Sequence, residues 1–206
     1  MKHIIKKLEP VGLEYARQHN LNWDEFHEQC HDSYVACRIQ AHEEQVGECA
    51  YTGMPLNDSA NIHLDHFKKK SIYPNSTFDW NNLFAAIKNH QFGADYKDNY
   101  IDGENAANVY PKLLHPALND PTLFFWYSNT GKIEPKSGLG DIDREKAITT
   151  IAVFNLNNET LLSRRRELFK ILQCYQELTL DETLSALKTY GFSFVTCAFY
   201  QNQNND

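Results

Sequence analysis

Residues 63–66 read His-Leu-Asp-His, within the run Ile62-His-Leu-Asp-His-Phe67. Three groups able to hold a metal or move a proton fall within four positions, a density uncommon by chance. A run this short, alternating and closed by the basic loop Lys68-Lys-Lys70 with Pro74 and Asn75, reads as a β-strand. On a strand, His63 and Asp65 lie two residues apart and share a face. Any fold for this chain must deliver that strand to a place where its polar groups have work or partners.

The flanking sequence supplies the scaffold. Cys49-Ala-Tyr-Thr-Gly-Met-Pro55 reads as a strand entering a turn, and Asp79 to Lys88 as the start of a helix or a packed turn. The centre is therefore expected to run strand, strand, loop, helix. Upstream, Trp23, Phe26, Cys30, Tyr34, Cys37 and Ala41 recur at steps of three and four, which predicts a helix over 23–46. Asn22 and Glu25 form a capping-box pattern at its start, and Gly47 follows as a stop. His27 and His31 are an i, i+4 pair on this helix, read as part of a solvated face. Downstream, residues 123–135 predict a β-hairpin turning at Ser128 to Lys132. Helices are expected over 143–153, over 159–178 with Asn158 as cap, and over 181–190 before Gly191. Residues 192–200 are apolar throughout, so periodicity does not separate strand from helix. The polar tail 201–206 is expected to fray. No Pro-, Gly- or Ser-rich linker interrupts the chain. The expectation is one domain: an N-terminal helical segment (1–48), a central nucleus (49–100) and a hairpin with C-terminal helices (101–206).

Charge and composition exclude several classes. The 206 residues carry a formal charge of −7, which argues against coating nucleic acid or anionic lipid by bulk charge. Hydrophobic residues at 42% rule out wholesale disorder. No uncharged apolar run approaches the roughly 18 residues of a membrane span. The start, Met1-Lys-His-Ile-Ile-Lys-Lys7, does not read as a signal peptide. The five cysteines are scattered without a C-x-x-C pair, which fits a reducing cytoplasm and leaves no zinc ribbon. The acidity is uneven: residues 61–100 hold five basic and four acidic groups, whereas residues 1–60 hold five and ten.

The groups between positions 63 and 97 suit phosphodiester hydrolysis. A carboxylate such as Asp65 suits a hard cation, Mg²⁺ or Mn²⁺, which polarises a phosphate. A neutral histidine takes the proton of an attacking water near pH 7, provided a hydrogen bond fixes its ring.

These residues resemble the HNH endonucleases of the ββα-metal fold. More narrowly, the chain is similar to the HNH proteins found beside retrons and in Septu-type anti-phage systems, the PtuB-like group. The resemblance is carried by Trp23-Asp-Glu-Phe26, Cys49-Ala-Tyr51, His63-Leu-Asp-His-Phe67, Lys70-Ser71, Tyr73-Pro74, Thr77-Phe-Asp-Trp-Asn-Asn-Leu83, Gly93-Ala-Asp-Tyr-Lys-Asp98 and Asn155-Leu-Asn157. It implies an α+β fold in which a ββα-metal nucleus sits within a mainly helical domain. It implies Asp65 as metal ligand, His66 as general base and Asn82 as the residue that orients the His66 ring. His90 is the nearest match for a second ligand on the helix, with Asn89 and Asp95 as alternatives; His63 adds to the site or binds phosphate. Lys68, Lys69, Lys70 and Lys97 are expected to contact nucleic acid. Many relatives bind structural zinc through C-x-x-C pairs; here that zinc is expected to be absent, its role falling to packing by Trp80, Leu83 and Phe84.

The implied activity is a cytoplasmic endonuclease using one Mg²⁺ or Mn²⁺, the effector of an anti-phage system. The implied partners are an ABC-type ATPase (PtuA-like) and, in retron systems, a reverse transcriptase and its DNA product. The competing reading is a non-catalytic adaptor that binds nucleic acid or the ATPase. Elsewhere, Arg164-Arg-Arg166 reads as solvated or partner-facing, His115-Pro116 with Asp120 as a loop brace, and Tyr110, Phe124, Phe125 and Trp126 as core.

Overall fold

The chain builds four short strands and nine helices among the described residues, which are 1–58, 62–175 and 177–203 of the computed structural model. The fold is mixed α and β, with two separate antiparallel hairpins rather than one sheet.

The first hairpin pairs β1 (Ile62–His66) with β2 (Leu83–Ile87), Asp65 opposite Phe84 and His66 opposite Leu83. The sequence pattern predicted a helix or packed turn over 79–88. Instead Trp80–Asn82 make one 3₁₀ turn and Leu83-Phe-Ala-Ala-Ile87 runs on as a strand. Leu83, Phe84, Ala85 and Ala86 are all buried, so both faces are covered and no alternation betrays the strand. The free edge of β2 is satisfied without a third strand. Ala85 N donates to Gln45 Oε1 (2.8 Å), and Ala85 O accepts from Gln45 Nε2 (2.7 Å) and Ala50 N (3.2 Å).

Residues 48–55 are a knuckle rather than the expected strand. A single bridge joins Glu48 to Pro55, Cys49 N donates to Met54 O (2.8 Å), and Gly53 N closes the turn on Cys49 O (2.9 Å). Gly53 is at φ +75°, and a Cβ there would lie 2.1 Å from the Phe194 ring. The order through the centre is thus knuckle, β1, loop, β2 and then α4 (Ala94–Tyr100).

The expected N-terminal helix is two helices after α1 (Val11–Gln18): α2 (Trp23–Gln29) and α3 (His31–Glu44). The Asn22/Glu25 capping box is formed, but Cys30 leaves the helical region at φ −118°, ψ 42°. The bend carries Trp23 and Phe26 onto Phe78, with ring centroids 5.7 and 5.5 Å away. Lys6 ties α3 to β2: its Nζ donates to Leu83 O (2.8 Å), pairs with Glu44 (3.2 Å) and lies 3.6 Å from the Trp80 ring centre.

After α5 (Ala106–Val109), the second hairpin pairs β3 (Phe125–Tyr127) with β4 (Ile133–Pro135), turning through Ser128 to Lys132 as expected. Helices α6 (Asp141–Val153), α7 (Glu159–Cys174) and α8 (Leu180–Ala186) start near their expected positions, α7 capped by Asn158. The ambiguous apolar segment is helix α9 (Ser193–Gln203). It docks on the knuckle: Phe192 N donates to Gly53 O (2.7 Å), and Ser193 N and Oγ donate to the Glu48 carboxylate (2.8 Å each). Residues 201–203 continue this helix; the rest of the tail, 204–206, lies outside the described residues.

One buried cluster extends from Met1 to Val195 and includes Trp80, Leu83 and Phe84. Tyr110 and Phe125 belong to it and Phe124 packs against it, but Trp126 is exposed. Arg165, read with its neighbours as solvated or partner-facing, is buried, donating to Gly131 O (2.6 Å) and Leu156 O (2.7 Å). The His115 ring packs between Phe67 and Phe84 (centroids 4.5 and 5.5 Å), while its Nδ1 accepts from Ala117 N. Among the described residues no helix is long and apolar enough to cross a membrane.

Candidate functional site

The C-terminal end of β1 places Asp65 and His66 next to each other at the junction of hairpin, loop and α4. His66 is 7% exposed, and its Nε2 lies 3.0 Å from the Thr77 carbonyl oxygen. A carbonyl only accepts, so Nε2 carries the hydrogen and Nδ1 of the neutral ring holds the lone pair. Burial lowers the His66 pKa to about 4, outweighing the neighbouring Asp65 carboxylate. The ring is therefore neutral at pH 7. Trp23 meets it edge-on at 4.4 Å between centroids.

Asn82, expected to orient the His66 ring, bonds to loop backbone rather than to the imidazole. Its Oδ1 accepts from Lys68 N (2.7 Å), and its Nδ2 donates to Lys68 O (3.1 Å) and Ser76 O (2.9 Å). It staples both ends of the 68–77 loop, and the loop in turn presents the Thr77 carbonyl to His66. The ring is oriented by backbone that Asn82 holds in place.

Asp65 is 4% exposed and already partnered. The Tyr51 hydroxyl donates to its Oδ2. Lys97 Nζ, on α4, lies 2.8 Å from the same oxygen. Lys97 is 0% exposed and also reaches His66 O (2.6 Å), Phe67 O (3.2 Å) and Asp98 Oδ1 (3.2 Å). Lys97 was expected to contact nucleic acid; here its ammonium points inward. Burial, reinforced by Asp65, pushes the Tyr51 phenol well above its usual pKa, so it stays a donor.

The remaining candidates separate. His63 Nε2 lies 3.8 Å from one Asp95 oxygen and His90 Nδ1 3.8 Å from the other. Both histidines thus face Asp95 at the start of α4, and His90 stands in solvent at 89% side-chain exposure. Among the described residues no group of three or more His, Cys, Asp or Glu side chains is arranged to hold a metal ion. With Asp65 Oδ2 taken by two donors and His90 turned to Asp95, these residues as they stand do not fit a divalent ion at Asp65. Lys69 Nζ is committed to Asp98 O (2.7 Å) and Ile101 O (2.9 Å). Lys70 pairs loosely with Asp24 at 3.4 Å, and Lys68 lies over the Tyr73 ring. A groove of about 630 Å³ opens beside Trp23, Thr77 and Phe78, with Arg17 and Lys70 on its rim.

No family model matches the chain. It is similar to the Septu protein PtuB of Bacillus mycoides (strain KBAB4). The two are 27% identical over 169 residues, covering 70% of this chain and 55% of the relative. The chain therefore spans about half the length of the curated relative it matches.

Tyr51 and Thr77 lie in segments that carry the resemblance, but their roles toward Asp65 and His66 are not readable from the sequence. Tyr51 acts from the knuckle, 14 residues before Asp65, and Thr77 acts through its backbone, which side-chain identity does not encode.

Proposed function

We propose that this chain is the endonuclease component of a Septu-type anti-phage system, with β1, β2 and α4 forming an HNH-type ββα nucleus. The observation that carries the reading is the state of His66: neutral, hydrogen-bonded through Nε2, with its lone pair at Nδ1. In the proposed reaction a water gives its proton to Nδ1 while its oxygen attacks the phosphorus of a phosphodiester. The P–O bond to the leaving alkoxide breaks, and that oxygen leaves protonated once His66 or solvent returns a proton. Trp23 and Thr77 keep the ring in place, and the groove beside them, where Arg17 pairs with Glu9 and Lys70 with Asp24, offers the strand an approach.

The substrate class is DNA or RNA, since attack by water at phosphorus makes no demand on the sugar. By the same resemblance the partners are an ABC-type ATPase and, where a retron is present, its reverse transcriptase and DNA product. The relative's name supports the defence setting; the His66 geometry supports the chemistry.

The test is cleavage by the chain assembled with its partners during a triggered defence response, read by sequencing nucleic-acid ends. Ends that accumulate with wild type and vanish with His66→Ala are expected. Equal phage protection by wild type and His66→Ala would overturn the reading in favour of a non-catalytic adaptor.

A further inference from the structure

The Asp65 carboxylate faces an ammonium. Lys97 Nζ sits 2.8 Å from Asp65 Oδ2, fully buried, with the carbonyls of His66 and Phe67 and the Asp98 carboxylate completing its surroundings. That is three hydrogen-bond acceptors and one ion-paired carboxylate oxygen around one cation, the kind of shell that oxygen donors give a hard metal ion. A lysine buried to this depth is stable only when its three N–H groups and its charge are all matched, and here they are.

We propose that the Lys97 ammonium is the resident cation of the Asp65 site, so that Asp65 carries no Mg²⁺ or Mn²⁺. The proposal rests on reading β1–β2–α4 as a nuclease nucleus. It changes what that nucleus contains. A divalent ion entering beside Asp65 meets a fixed positive charge on a fully buried side chain. Expelling Lys97 strips two carbonyls of their donor at the end of β1, the carbonyl of His66 among them. Tyr51 tightens the arrangement from the other side, because its hydroxyl occupies the same carboxylate oxygen. Lys97 thereby joins α4 to β1 at the His66 backbone.

The decisive measurement locates Mn²⁺, added alone, in crystals of the full chain by anomalous diffraction. In wild type no Mn²⁺ is expected within coordination distance of an Asp65 oxygen, and Lys97 stays in place. In Lys97→Met the carboxylate is freed of its ammonium, and Mn²⁺ is expected on Asp65. In solution, Mn²⁺ binding monitored by electron paramagnetic resonance should tighten at least tenfold in that variant and return to the wild-type level when Asp65→Asn is added. Mn²⁺ on Asp65 in wild type with Lys97 displaced overturns the proposal, and so does a Lys97→Met site that stays empty. Should Lys97→Met not fold, Lys97→Gln keeps two N–H donors without the charge, and the wild-type crystals decide alone. None of these readouts uses cleavage, so they stand or fall separately from the nuclease reading.

Discussion

The Nε2 of His66 and the carbonyl oxygen of Thr77, eleven residues apart in sequence, lie 3.0 Å apart, and this contact fixes which ring nitrogen is free. Because Nε2–H is committed, a general base at this position acts through Nδ1. Replacing His66 with alanine is expected to lower cleavage by about 10²–10⁴-fold, the range of general-base contributions. His66→Gln, which cannot accept a proton, should be equally impaired while keeping the fold. Single-turnover cleavage with matched circular dichroism spectra checks both; a near-normal rate for His66→Gln would remove His66 from the chemistry.

Asn82 reaches the same histidine indirectly. Asn82→Ala removes the side-chain partner of Lys68 N, Lys68 O and Ser76 O, the last keeping Asp79 N, which should cost roughly 1–3 kcal/mol in stability as these part-buried groups lose bonds. It should also lower kcat, because the Thr77 carbonyl is no longer held. Asn82→Asp keeps the acceptor for Lys68 N and loses both donations, so an intermediate effect is expected. Urea denaturation alongside kinetics separates the two losses; an unchanged kcat in Asn82→Ala would mean the loop keeps its shape unaided.

One buried and one half-buried histidine make stability depend on pH. His66 and His115 both have pKa values lowered by burial from 6.5 to about 4. The unfolded chain binds these protons near pH 6.5, whereas the folded chain resists them until about pH 4. Folding stability is therefore whole above pH 6.5 and falls as the pH drops toward 4. The full shift at His66 is worth about 3 kcal/mol, and the less buried His115 somewhat less. Denaturant midpoints at pH 7.5 and 5 should differ markedly, and His115→Phe should flatten the difference. Equal midpoints at both pH values would contradict the neutral burial of these rings.

Local signals in the sequence reached the elements whose partners are local. The Asn22/Glu25 capping box, the Ser128–Lys132 turn and the Asn158 cap are satisfied within a few residues, and each was legible. Strand β1 was legible because it alternates and a basic loop closes it. Strand β2 was not, because burial on both faces erases alternation, and the edge group that makes it a strand is Gln45, forty residues upstream. The same holds for the site. Asp65 and His66 are adjacent and visible, but the partners that set their state, Tyr51, Thr77 and Lys97, arrive from a knuckle, a loop and a helix. Lysine at 97 next to Asp98 reads as surface in any local window; only the approach of α4 to β1 buries it.

Gln45 tests that account of β2. Its amide satisfies Ala85 N, Ala85 O and Glu48 O, joining the end of α3 to the knuckle and the strand edge. Gln45→Leu should destabilise by several kcal/mol, since Ala85 N and Glu48 O lose their partners at roughly 1–3 kcal/mol each, while Ala85 O keeps only Ala50 N. Gln45→Glu, keeping the acceptor for Ala85 N but placing a carboxylate against two carbonyls, should be no better at neutral pH. Thermal melts measure both; a Gln45→Leu variant as stable as wild type would show that water or a backbone shift completes the edge.

The charge distribution leads to the last expectation. The segment 61–100 holds five basic residues, but Lys97 is buried on Asp65 and Lys69 on backbone carbonyls, so only part of that charge faces solvent. The whole chain carries −7. Bulk attraction to a polyanion is therefore weak, and long-range steering favours repulsion. Fluorescence anisotropy with labelled DNA or RNA should find weak binding by the isolated chain at physiological salt, and much tighter binding once the chain is assembled with its partners. Charge reversal at the groove, Arg17→Glu with Lys70→Glu, should weaken binding by the assembly and reduce its salt dependence, because both cations line the groove that opens beside Trp23 and Thr77. Tight, salt-sensitive binding by the isolated chain that survives this reversal would place the nucleic-acid contact on another face.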